Sequence, residues 1–128
     1  MNIGTANELK AMSYYQSKGC QIYTPIGHDS TVDFIAVEGG NTHLIQVKTC
    51  GKRRYKDVIY TMAPLRKSDG SSYSLKEIDV FFVVDGDEAY EIPAHVLEPE
   101  TKCLMLTATK KGYVPRHGFN VDDWKVKL

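Results

Sequence analysis

The pattern of apolar and polar positions divides the chain into an opening amphipathic helix and a series of short strands. Between Ala6 and Lys18, Leu9, Met12 and Tyr15 recur at helical spacing, with Thr5 where an N-cap belongs and Gly19 where a left-handed stop belongs. Short runs with the period of a strand follow at Gln21 to Tyr23, Val32 to Val37 and Thr42 to Lys48. Gly39-Gly40-Asn41 reads as a hairpin link between the last two, and Asp57 to Met62 as a further extended piece. Pro64 to Ser72 is basic and then rich in Ser and Gly, the composition of a mobile surface segment. Ser74-Leu75-Lys76-Glu77 is a second capping signal, but it leads straight into the apolar run Val80 to Val84, so any helix there is short. That run pairs with Glu88 to Ile92 across Asp85-Gly86-Asp87, Pro93 to Leu97 begins a short helix, and Cys103 to Thr109 is one more strand.

The period of two in His43 to Lys48 puts Leu44, Gln46 and Lys48 on one face and His43, Ile45 and Val47 on the other. Gln46 and Lys48 therefore point the same way. Asp33 interrupts the otherwise apolar Val32 to Val37 and, across the hairpin, falls beside them, a charge that a half-buried strand tolerates only with a compensating partner. Carboxylate, amide oxygen and ammonium then converge, a set suited to holding a divalent cation against a phosphodiester. Glu8 has two readings: it can supply a further carboxylate, or close a capping box with Thr5.

Taken together, Gly4-x-x-x-Glu8 on the first helix, Gly19 at its end, Asp33 on a strand and Gln46-Val47-Lys48-Thr49 closing the next resemble the PD-(D/E)XK nuclease superfamily, in its group I intron homing endonuclease branch. The similarity covers roughly residues 3 to 98, and Gln46 stands where most of the superfamily has an acidic residue. It implies an α/β fold with a restriction-endonuclease-like core, a mixed central β-sheet flanked by helices in the order αβββαβ. It also implies a Mg²⁺-dependent, site-specific endonuclease acting on double-stranded DNA, with Mn²⁺ as substitute. Glu8, Asp33, Gln46 and Lys48 would be catalytic. Glu8, Asp33, the Gln46 amide oxygen and the Val47 backbone carbonyl would hold the metal. Two neighbouring expectations remain: a Holliday junction resolvase of the same fold, and a DNA-binding module that has lost cleavage.

Composition fits one globular domain, residues 1–128, with a basic C-terminal extension from about 101; 42% of residues are apolar and 25% charged. With no membrane-length apolar run and no secretion-signal pattern, the expected location is the cytoplasm of a bacterial or phage-infected cell. Cys20, Cys50 and Cys103 are unpaired in number and spacing and read as free thiols. The formal net charge is zero, yet from Lys48 to Lys67 seven basic residues face one acid, Asp57, while Glu77 to Glu100 holds eight acids and no Lys or Arg. The positive blocks predict the DNA-binding face: Lys52, Arg53, Arg54, Tyr55, Lys56, Arg66 and Lys67, then Lys110, Lys111 and Arg116. The acidic block is expected away from DNA, at a subunit contact. Cutting both strands needs two active sites, which implies a homodimer or homotetramer.

Overall fold

The computed structural model of the chain describes residues 2–27, 30–67, 69–74, 76–98, 101–115 and 120–128. Helix α1 (Ile3–Ser17) starts earlier than expected, because Asn2 caps it: its Oδ1 accepts the Thr5 N–H at 2.8 Å. Glu8 then lies in the second turn, out of reach of the cap, and the capping-box reading of Glu8 falls. At the other end Gly19 (φ 91°) donates to the Gln16 carbonyl and Cys20 to that of Tyr15, both at 3.0 Å, which closes the last turn as a Schellman motif. The buried stripe is Asn7, Ala11 and Tyr15, rotated from the expected Leu9, Met12 and Tyr15; Leu9 is 48% exposed. Ala11 permits a close approach to the sheet, and the Tyr14 and Tyr15 rings fill the space beside Phe34 and Phe82.

The strands are β1 (Gln21–Tyr23), β2 (Phe34–Glu38), β3 (Asn41–Thr49), β4 (Gly51–Tyr55), β5 (Val58–Pro64), β6 (Val80–Asp85), β7 (Glu88–Pro93), β8 (Cys103–Ala108) and β9 (Lys125–Val126). Six form a mixed sheet in the order β1-β2-β3-β6-β7-β9, in which β3 and β6 are parallel and every other pair is antiparallel. The β2–β3 loop is the two residues Gly39 and Gly40, both at positive φ as a tight hairpin of native twist requires. A second sheet, β4-β5-β8, is antiparallel throughout.

One core lies between α1 and the main sheet, where Ala11 and Tyr15 meet Phe34, Ile45, Val47, Phe82 and Val84. The other lies on the opposite face, where Phe81, Val83 and Ile92 meet Ala63, Leu104 and Leu106 of the second sheet. The order is therefore helix, sheet, sheet. This bears out a mixed α/β fold but corrects its outline, since α1 is the sole α-helix among the described residues. In place of a second helix, the crossover from β3 to β6 uses the β4–β5 hairpin and a loop. In that loop the Ser74 capping signal forms without a helix: the Glu77 carboxylate accepts the Ser74 N–H at 3.0 Å. Within Pro64 to Ser72, expected as a mobile surface segment, Arg66 bridges Ser72 and the Lys67 N–H donates to the Ser71 carbonyl at 2.8 Å. Pro93 to Leu97 contains only a 3₁₀ turn, Ala94–Val96. The stretch from 101 supplies β8, β9 and the core residues Leu104 and Leu106.

Candidate active site

Asp33 stands just ahead of β2 rather than within it. Its N–H still donates to the Ile45 carbonyl at 2.9 Å, extending the ladder, while its carboxylate accepts the Val47 N–H at 2.7 Å. The side chain thus takes up a backbone donor at the mouth of the β2–β3 pair, which fixes one of its oxygens. Glu8 reaches the same point from α1. Its carboxyl is pushed up to about 7 by burial first, then by a hydrogen bond to Asp33 and by Asp33's charge. Two carboxyl groups from separate elements thus meet at one place.

On β3 the period of two holds: Ile45 and Val47 are buried beneath α1, and Gln46 and Lys48 lie on the other face. Gln46 donates from Nε2 to the Val47 carbonyl at 3.5 Å, a long contact that sets its amide against that carbonyl. Lys48 is half-buried; its Nζ donates to the Arg66 carbonyl at 3.2 Å and to the Tyr73 hydroxyl at 3.0 Å. Burial pulls its ammonium below the usual lysine range, opposed by the nearby Asp33 charge. Glu8, Asp33 and Lys48 are therefore neighbours around the mouth of the β2–β3 pair, and Gln46 lies against the Val47 carbonyl on the same strand.

Two residues of this region were missed by sequence reasoning. Asn7, 3% exposed, donates from Nδ2 to Thr49 Oγ1 at 2.8 Å, tying the helix turn that carries Glu8 to the end of the strand that carries Lys48. Its signal was faint: a polar residue one position before Glu8, on the face that helical spacing left unassigned. Tyr73 comes from a loop 25 residues beyond Lys48.

Among the described residues no three His, Cys, Asp or Glu side chains gather to ligate an ion. The protein's own oxygen donors here are two carboxylates, the Val47 carbonyl and, with its amide turned over, Gln46 Oε1. That sparse, hard set fits a cation that keeps several of its waters, as Mg²⁺ does, and Glu8 set against the Asp33 charge is the arrangement such a cation would relieve.

The basic segment after Lys48, given no element by the sequence pattern, is strand β4. Lys52, Arg53, Arg54 and Tyr55 are all exposed on this edge strand, and Lys56 with Asp57 makes its turn at positive φ. Lys52 donates to Thr61 Oγ1 at 2.9 Å, and the Lys56 ammonium lies 5.3 Å from the Tyr55 ring centre. Arg66 is exposed, but Lys67 is paired with Glu77 at 2.9 Å, so the first acid of the acidic block lies against the basic segment rather than away from it. Lys110 and Lys111 are exposed beyond β8; Arg116 lies outside the described residues. Cys20, Cys50 and Cys103 are free thiols. Among the described residues no helix is long and apolar enough to cross a membrane.

The profile of the PD-(D/E)XK endonuclease family matches residues 1–127, and the chain belongs to that family. It is thereby a member of a nuclease family whose members generally use divalent metals and act on DNA. Among solved structures, a bacterial homing endonuclease, I-Ssp6803I, shares the fold with a TM-score of 0.70 and 18% identity, over 95% of this chain and 83% of that one. No curated protein sequence matches the chain.

Proposed function

We propose that the protein is a Mg²⁺-dependent, site-specific endonuclease of the homing type that hydrolyses phosphodiester bonds in double-stranded DNA. The observation that carries this reading is the meeting of Glu8 from α1 with Asp33 from the start of β2, near Lys48 on β3, with the Glu8 carboxyl pushed far from its ordinary range. Asp33 would be the central metal ligand, with Glu8, the Gln46 amide oxygen and the Val47 carbonyl completing the protein's share. When bound, the metal supplies positive charge beside the phosphate and a held water.

The chain's own groups account for the rest. The Val47 N–H fixes the Asp33 carboxylate in orientation, and the Asn7–Thr49 bond fixes α1 so that Glu8 meets it. Lys48, with two of its three protons engaged, has one left to donate to the phosphate, and its charge polarises the attacking water beside it. In the reaction the water oxygen bonds to phosphorus, the bond to the 3′ oxygen breaks, and one water proton ends on that oxygen, leaving a 5′-phosphate and a 3′-hydroxyl. Exposed Lys52, Arg53 and Arg54 on β4, with Tyr55, Lys56, Arg66, Lys67, Lys110 and Lys111, supply contacts to the DNA backbone. Two copies, or four, would cut both strands.

The test is to incubate the protein with Mg²⁺ and, separately, linear duplex libraries and four-way junctions. Cleavage of duplex at discrete sites supports the reading. Cutting confined to junctions would instead make it a resolvase, and binding without cutting an inactive DNA-binding module.

A further inference from the structure

Tyr73 stands at the candidate site with a donor left over. Its ring packs edge-on against the buried Phe81, with centres 5.3 Å apart and planes at 68°, which fixes where the phenol points. Its oxygen accepts from Lys48 Nζ at 3.0 Å, while that nitrogen is 5.0 Å from the ring centre, so the ammonium meets the hydroxyl at the rim rather than the ring face. An ammonium only donates, so the phenolic O–H is unused in this contact. Among the described residues it has no acceptor.

We propose, on the nuclease reading above, that Tyr73 is a catalytic residue: its O–H donates to a non-bridging oxygen of the scissile phosphate, beside the remaining N–H of Lys48. Two fixed donors about 3 Å apart match two oxygens of one phosphate and are already in place before charge develops there. Burial, with Asp33 and then Glu77 nearby, pushes the phenol up to about 12, so it remains a protonated donor at neutral pH. Both contacts serve the same oxyanion. No proton is transferred by Tyr73; it contributes a hydrogen bond that strengthens as the phosphate gains charge.

The experiment compares wild type with Tyr73→Phe, which keeps the ring on Phe81. The substrate is a duplex that wild type cuts, made with oxygen or with either phosphorothioate diastereomer at the scissile position. Reactions run in Mg²⁺ and in Mn²⁺, so that sulfur effects on the metal are told apart. The expected result is an unchanged melting temperature, DNA affinity in EDTA within about twofold, and kcat lower by on the order of 10²-fold. In addition, one diastereomer that slows wild type in both metals no longer slows the variant. Wild-type kcat in Tyr73→Phe, or equal sulfur effects in both proteins, would overturn the proposal, the second showing that the phenol merely props Lys48. A wild type that cuts no DNA at all would overturn the nuclease reading itself, a distinct result.

Discussion

Replacing Glu8 by glutamine should stabilise the protein at alkaline pH while removing its chemistry. The Glu8 carboxyl rises from 4.5 to about 7 because α1 partly removes it from water and then sets it against Asp33. Such a rise corresponds to roughly 3 kcal/mol at about 1.4 kcal/mol per unit, and solvent screening at this half-exposed position reduces it to about 1–2 kcal/mol. The folded state holds this proton more tightly than the unfolded chain, so wild-type stability is complete below about 4.5 and falls as pH rises to about 7. Glu8→Gln removes the titration. Urea or thermal unfolding from pH 4 to 8 should therefore show wild type and variant alike at pH 4, and the variant ahead at pH 8 by about 1–2 kcal/mol, or about 4–8 °C in a chain of this length. Mg²⁺ should close part of the gap by stabilising wild type more than the variant. A difference that does not change with pH, or a variant less stable at pH 8, would refute the reasoning.

Asn2→Ala removes the observed cap and should cost about 1 kcal/mol of stability with cleavage retained, as thermal melts and a cleavage assay would show together. Asn7→Ala leaves the Thr49 hydroxyl without its partner in a buried place and should cost about 1–3 kcal/mol by urea unfolding. Because it also frees the turn that carries Glu8, cleavage should slow at a temperature where the variant remains folded. Replacing Arg53 and Arg54 together should weaken binding to every DNA sequence and reduce the log-log salt slope by about 0.9 per lost phosphate contact, measured by anisotropy against salt. An unchanged slope would move the positive face to Lys110 and Lys111.

The elements most legible in the sequence were those whose signal is local. Gly39-Gly40 and Gly86-Asp87 stand as hairpin turns, and the alternation in β3 put Gln46 and Lys48 on one face because strand geometry leaves no other arrangement. The start of α1 was misread because Asn2 and Thr5 are overlapping cap signals, and only packing against the sheet selects between them. Strand β4 was hidden because its five residues are all exposed: with no buried side, Gly51 to Tyr55 has no alternation to read, and pairing with β5 alone makes it a strand. Parallel pairing of β3 with β6, and the contact of Tyr73 with Lys48, depend on chain returning from far away. For the same reason Asp33 read as a charge within a strand in need of a partner, whereas it stands at the strand's mouth and the Val47 N–H meets it there.

The central claim is that Asp33 and Lys48 belong to one nuclease site, and the direct measurement is cleavage of duplex DNA in Mg²⁺ by wild type, Asp33→Asn and Lys48→Ala, with DNA binding measured on the same preparations. Wild type should cut, and lose that activity in EDTA. Both variants should bind DNA and leave it uncut, since the asparagine keeps the shape at Val47 without the charge and the alanine removes the ammonium beside it. Cleavage at the wild-type rate by Asp33→Asn would contradict the account.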